Sequence, residues 1–381
     1  MFNETVEFIK KLYPNQNPVP LHAPVFWGNE KEYLQDCIDS TFVSYVGKYV
    51  KEFEERTAEF TAAKYAVAVV NGTAALQIAL QIAGVQPGDE VITQAMTFVA
   101  TANAISHCHA KPLFIDVDRN SLGLSLEKLE DFLKKGTIQK NSCCINKKTA
   151  AKITAIVPMH TFGFTCQIDN ITQLAEKYNI KVIEDAAESL GSYYKNKHSG
   201  TFGLAGILSY NGNKTITTGG GGMILTNDSD FAKKARHITT TAKQAHKYEY
   251  IHDQVAYNYR MSNVSAAIGV AQMEKIDVYL KNKRETALLY KDYFEDKKMD
   301  FFTESKDSKV NYWLNTLILD NEEEKTAFLE YTNNKGIMTR PVWRLMNKLD
   351  MYKDFQCEDI SNAEWLEARI VNLPSGVRNP L

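Results

Sequence analysis

The sequence predicts an α/β fold, a mostly parallel sheet covered by helices on both faces, followed by a smaller α+β domain. Three observations predict it. Short apolar runs alternate with helix-like segments from residue 63 to about 186, the signature of successive βαβ units. The run from Ala63 to Val70 is apolar but for Lys64 near its start, the pattern of a strand buried on both faces. After about residue 245 the alternation gives way to an aromatic, polar stretch and longer helix-like segments. With 381 residues the chain can bury two cores. The expected division is an N-terminal arm and large domain over residues 1–250 and a small domain over 251–381.

Taken in order, residues 18–30 are rich in Pro, Asn and Gly and read as an extended arm. Glu30 to Ser40 and Val50 to Thr61 read as helices. Asn71-Gly72-Thr73 is a turn with capping chemistry ahead of a helix from Ala74 to Ala83. Strands are expected over Glu90 to Gln94, Pro112 to Val117, Ile153 to His160 and Lys181 to Ala186. Helices are expected over Phe98 to His107, Leu126 to Lys134 and Asp169 to Tyr178. Gly136 to Ala151 is a polar, lysine-bearing connection and reads as a solvated loop. Further on, Val264 to Leu289 reads as one long helix or two, and Tyr312 to Leu319 as a strand. Glu322 to Asn333 and Asn362 to Ile370 read as helices.

Composition narrows the function. Lys plus Arg total 44 against 46 for Asp plus Glu, a net charge of −2, without the basic surplus of a dedicated nucleic-acid binder. Residues 1–13 mix charged and apolar residues and lack the apolar core of a signal peptide. No run of about 18 apolar residues suggests a membrane span. Of the six cysteines, Cys143 and Cys144 are adjacent, which suits neither a metal site nor a disulfide framework. A reduced, cytoplasmic setting and no metal are the expectations.

The most informative stretch is Ser209-Tyr210-Asn211-Gly212-Asn213-Lys214-Thr215, followed by the four glycines Gly219 to Gly222 and a strand-like Met223-Ile224-Leu225-Thr226. Lys214 is the only charged residue between Ile207 and Asn227. Glycines let a backbone turn tightly and approach a flat or bulky group. A lysine held there can serve as a Schiff-base nucleophile. The same stretch also reads as a glycine-rich hairpin with an incidental lysine. The glycines precede a strand and do not join strand to helix, the wrong context for a dinucleotide fingerprint.

Two other turns carry chemistry. Asn71-Gly72-Thr73 points backbone N–H groups and a helix dipole at a potential anion, or is a plain capped turn. Val182-Ile183-Glu184-Asp185-Ala186-Ala187-Glu188 ends a buried strand with carboxylates, where open α/β sheets bind ligands; a helix cap or surface acid is the alternative.

Together these segments resemble the DegT/DnrJ/EryC1/StrS sugar aminotransferases, fold-type-I enzymes that use pyridoxal 5′-phosphate (PLP). The resemblance runs from about Pro18 to the C-terminus, and within the family it is strongest to the enzymes of legionaminic-acid-type sugar pathways. It implies that Lys214 carries the PLP and that Asp185 pairs with the protonated pyridine nitrogen. It places Gly72, Thr73 and Ser209 on the phosphate, Phe98 stacked on the ring, and Glu188 near the ring hydroxyl, where relatives often have Gln or His. His160 is implied to line the pocket, and Arg340 and Trp343 to lie near the sugar. Asn258 is implied to reach the PLP phosphate of a neighbouring subunit, so a homodimer with shared sites is expected. Read singly, Phe98 is also a core residue, His160 a structural histidine and Asn258 a helix cap. Leu345 and Asn347 stand where relatives more usually carry proline and histidine. The implied reaction transfers an amino group from glutamate to a UDP-linked 4-keto-6-deoxy amino sugar. Family members that are sugar dehydratases carry histidine at the lysine position, so Lys214 argues against that activity; a non-catalytic sensor would not need Lys214, Asp185, Phe98 and Gly72-Thr73 together.

Overall fold

In the computed structural model, which describes residues 2–297 and 299–378, the apolar runs become strands β1 (Tyr65–Val69), β2 (Glu90–Gln94) and β3 (Lys111–Ile115). The hairpin β4 (Thr137–Lys140) and β5 (Cys143–Asn146) precedes β6 (Lys152–Val157) and β7 (Lys181–Asp185). The short β8 (Tyr193–Tyr194) and β9 (Lys197–His198) lead to β10 (Ala205–Ser209) and β11 (Gly222–Thr226). The main path of the large sheet runs β1-β11-β10-β7-β6-β2-β3. From β10 to β3 every neighbour is parallel. Along this path only β11 opposes its neighbours, pairing antiparallel with both β1 and β10. The C-terminal ends of β1, β2, β7 and β10 therefore share one edge, where doubly wound sheets bind ligands.

The central strands are buried along nearly their whole length. One face packs under the helices Gly72–Ile82 and Ser229–Thr239 through Leu76, Ile78, Leu80, Phe231 and Ala235. Another core joins Phe53, Tyr210, Met223 and Leu225 to Val270 of the helix Asn263–Met273.

Two expectations change, over 136–151 and over the last helix, and two stretches that the sequence left open take a definite form. The stretch 136–151 is not a solvated loop: β4 and β5 form an antiparallel hairpin whose second strand adds to β6. Alternation of buried Cys144 and Asn146 with partly exposed Cys143 and Ile145 is what a half-buried strand requires, and the charged residues around it hid that pattern. Residues 263–294 form two helices, Asn263–Met273 and Ile276–Phe294. The last helix, Ser361–Glu367, ends earlier than expected, and Ile370–Leu373 becomes a fully buried strand. It lies in a four-stranded antiparallel sheet with Asp300–Phe301, Asn315–Ile318 and Arg340–Pro341. Finally, residues 2–12 form a helix whose Val6, Ile9 and Leu12 pack against Tyr290, Leu317, Phe328 and Val371 of the C-terminal layer.

Candidate active site

At that shared sheet edge lies a cavity of about 250 Å³, lined by Asn71, Gly72, Thr73, Phe98, Asp185, Glu188, Ser209 and Lys214 among others. The turn after β1 supplies its first wall. The Asn71 side chain caps the helix by accepting the Ala74 N–H at 2.8 Å, which leaves the N–H groups of Gly72 and Thr73 without intrahelical acceptors. A Cβ on Gly72 would come within 3.2 Å of the Ser209 Cβ, and one on Gly222 within 2.5 Å of the Asn71 carbonyl. A glycine at 222 lets β11 close on this turn, and the tight approach at Gly72 brings the turn against Ser209, which lines the same cavity as Thr73.

The end of β7 supplies the acids. Asp185 is 2% exposed and accepts from the Thr101 Oγ1 at 2.6 Å and the Ala187 N–H at 3.2 Å. Burial raises its pKa, against the pull of those bonds and of Lys214. Glu188 accepts the Phe162 N–H at 2.8 Å on Oε2, and its Oε1 lies 3.1 Å from the Lys214 Nζ. Burial pushes its carboxyl up to about 7, with Lys214 opposing. Glu184, one residue before Asp185, points elsewhere. It accepts N–H bonds from Gly200, Phe202 and Gly203 and so ties down the turn before β10.

Lys214 lies in the connection between β10 and β11, closed by the bonds Tyr210 N–H to Gly221 O at 2.9 Å and Thr218 N–H to Tyr210 O at 3.0 Å. The stretch is thus both a hairpin connection and a lysine presented to a cavity. Its Nζ sits 4.0 Å from the centroid of the Trp313 ring. Phe98 is 45% exposed, so it is not a core residue; it leans on Trp343 at 5.8 Å between ring centroids.

Not every expected residue converges. His160 is fully buried and does not line the cavity, which corrects the expectation from the family resemblance. Its Nε2 lies 3.0 Å from the Glu184 Oε2 and its Nδ1 faces the Cys166 thiol. Burial lowers the imidazole, but Cys166 and Glu184 more than reverse that and push it up to about 10. Its backbone N–H binds the Asp185 carbonyl at 3.0 Å. Trp343 reaches the rim through Phe98, whereas Arg340 is exposed on an edge strand, bonded to the Asn333 Oδ1 and the Thr339 carbonyl. Asn258 is exposed, bridged to Thr240, and lies outside the cavity lining of its own chain. Sequence reasoning missed Thr101 and Trp313. Thr101 was within view, three residues past Phe98 on the first turn of its helix; Trp313 arrives from 99 positions beyond Lys214 with no local signal.

The donor set fits PLP. A phosphate dianion bound there would find the Gly72 and Thr73 N–H groups and the Thr73 and Ser209 hydroxyls at a helix N-terminus. Asp185 would offer a buried carboxylate to the pyridine nitrogen, Lys214 an amine to the carbonyl carbon, and Phe98 an aromatic face to the ring. A fold-type-I architecture with this set defines a PLP-dependent aminotransferase. The chain belongs to the DegT/DnrJ/EryC1/StrS aminotransferase family, whose model matches residues 27–378. It is 38% identical over 358 residues to a GDP-perosamine synthase of Escherichia coli O157:H7, covering 94% of this chain and 93% of that one. It is 36% identical over 376 residues to Bacillus subtilis EpsN, whose name gives it as PLP-dependent, covering 96% and 91%. A DegT DnrJ EryC1 StrS aminotransferase from Brucella abortus superimposes with a TM-score of 0.81 at 25% identity, covering 91% and 90%. The enzyme is therefore a PLP-dependent nucleotide-sugar aminotransferase. Among the described residues no helix is long and apolar enough to cross a membrane, and no group of metal ligands forms.

Proposed function

We propose that the enzyme moves an amino group from glutamate to the keto carbon of a nucleotide-linked 4-keto-6-deoxy sugar, in the building of bacterial surface sugars. The observation that carries this reading is the meeting of Lys214, Asp185, Glu188, the Gly72-Thr73-Ser209 cradle and the half-exposed Phe98 in one cavity. PLP, when bound, supplies an electron sink for the charge left on the donor carbon. The residues do the rest. Asp185, buried at the end of β7, would pair with the pyridine nitrogen and keep a proton on it. The cradle anchors the phosphate, and Phe98 keeps water from one ring face. The Lys214 Nζ would hold the cofactor and, once released, is placed to move a proton at the donor α-carbon. Glu188 Oε1 is placed to exchange a proton with that same Nζ. In the second half of the cycle the same groups act on the sugar, with Trp343 at the rim beside it and Arg340 further out.

For the nucleotide, the names of relatives such as the E. coli GDP-perosamine synthase support a GDP-linked substrate. The sequence resemblance to legionaminic-acid-type enzymes supports a UDP-linked amino sugar. Incubation with glutamate and a panel of GDP- and UDP-linked 4-keto-6-deoxy sugars separates them: one nucleotide series gains an amine, read by mass and by proton coupling constants. Failure of every keto sugar, with 2-oxoglutarate still released from glutamate, would remove the sugar reading.

A homodimer with shared sites completes the proposal. Asn258 is exposed and sits outside its own cavity, as a donor to a neighbour's phosphate would. Exposed Phe26, Ile38, Phe42, Val43 and Val46 near the N-terminal helices, and Tyr248, Tyr250 and Val255 near Asn258, form apolar surface suited to burial between two copies.

A further inference from the structure

We infer that Trp313 is a further active-site residue: its indole face seats the Lys214 ammonium whenever Nζ is not bonded to the cofactor. The inference rests on Lys214 being the cofactor lysine.

The geometry is specific. The Lys214 Nζ lies 4.0 Å from the Trp313 ring centroid and 3.1 Å from the Glu188 Oε1, so the ammonium is held between a π face and a carboxylate. Trp313 is only 4% exposed, and the Lys214 side chain 12%. A cation over an aromatic face gains most when water is excluded.

The ring is itself held from several sides. The Trp313 Nε1–H donates to the Asn213 carbonyl at 2.7 Å, the residue just before Lys214, so indole and lysine are in register. The Trp313 N–H donates to the Asn311 Oδ1 at 2.8 Å, while the Asn311 Nδ2 binds the Glu188 carbonyl at 2.8 Å. One asparagine therefore links the backbones of the ring and of the carboxylate that flank Nζ. Behind the ring, the Trp313 carbonyl accepts from the buried Lys283 Nζ at 3.3 Å, which also binds His22 and the Ser375 carbonyl.

The consequence for the reaction follows from the proton count. A seated ammonium must lose one proton before Nζ can attack or accept a proton from carbon. Glu188 Oε1 takes it, the ammonium becoming an amine and the carboxylate a carboxyl. The proton returns by the same path when Nζ is next released. Without the ring, the freed lysine samples other rotamers, and each return to the cofactor is slower.

The test compares Trp313→Phe, which keeps a π face, with Trp313→Met, which fills space without one. Borohydride reduction of holoenzyme first establishes that the pyridoxyl adduct lies on the Lys214 peptide; an adduct elsewhere would refute the underlying assignment and not this inference alone. PLP is then added to cofactor-free protein and attachment followed by absorbance. Trp313→Met should attach PLP about tenfold more slowly, the order expected when a reacting group loses one positioning contact, and Trp313→Phe should recover most of the rate. In turnover, kcat should fall in Trp313→Met with KM for glutamate little changed. Attachment in Trp313→Met as fast as wild type or faster, or equal loss in both variants, overturns the inference. Should Trp313→Met not fold, enzyme carrying fluorinated tryptophan replaces it. Its shape is kept but its ring face is less negative, and attachment should slow with added fluorine; an unchanged rate overturns the inference equally.

Discussion

The Nζ of Lys214 and the Oε1 of Glu188 stand 3.1 Å apart with side-chain exposures of 12% and 1%. An ion pair so enclosed loses much of its hydration, and burial still outweighs the lysine's pull on the Glu188 carboxyl, which is raised from 4.5 to about 7. The folded state therefore binds that proton more tightly than the unfolded chain does. The stability this confers is fully present below pH about 4.5 and is lost as pH rises through about 7. In cofactor-free protein, Glu188→Gln should gain in Tm relative to wild type as pH rises across that window, by a margin on the order of 3 kcal/mol at most. A difference that does not change with pH would show that Glu188 titrates normally.

Asp185 is held by Thr101 and the Ala187 N–H at the end of a buried strand. Asp185→Asn keeps both the shape and an oxygen for those donors, so the fold should survive with a Tm shift of a few degrees. Turnover should fall by orders of magnitude, because the pyridine nitrogen loses the anion that keeps it protonated. Near wild-type turnover in Asp185→Asn would strip Asp185 of its assigned role.

His160 tests the distinction between support and contact. It is sealed behind the cavity against Glu184. His160→Gln should destabilise the protein by about 3 kcal/mol, the low end for breaking a buried pair, since Glu184 keeps three backbone donors. KM for the sugar should hardly move. A large rise in that KM with unchanged stability would put His160 back in contact with substrate.

The shared site is tested by mixing two inactive variants, Lys214→Ala and an Asn258 substitution that abolishes PLP binding. In a mixed dimer with shared sites, one site carries both defects and the other neither, so activity should recover toward half of wild type per heterodimer. If subunits exchange and no activity returns, Asn258 serves its own chain or none.

Much of the fold was legible in the chain because its information is local. β1 was bounded to within two residues because its run is almost wholly apolar, and Glu90–Gln94 was bounded to the residue although only Val91 and Ile92 in it are apolar, its Glu90, Thr93 and Gln94 being buried polar groups. A parallel strand must cross over, so the helices between strands followed. Lys214 stood out for a related reason: a lone charge in a glycine-rich, uncharged stretch has been withdrawn from the solvated surface. What remained hidden depends on partners far along the chain. The hairpin β4–β5 is a strand pair only because β6 lends it an edge. Ile370–Leu373 is a strand, not the end of a helix, because Asn315–Ile318 and Arg340–Pro341 flank it on both sides. His160 and Asp185 come from strand ends of the same kind, and only the packing decided that the carboxylate faces the cavity while the imidazole turns inward to Glu184. Trp313 has no signal of its own. Its place under Lys214 exists because Asn311, Asn213 and Lys283 hold it there, a set of hydrogen bonds that comes together only once the chain has folded.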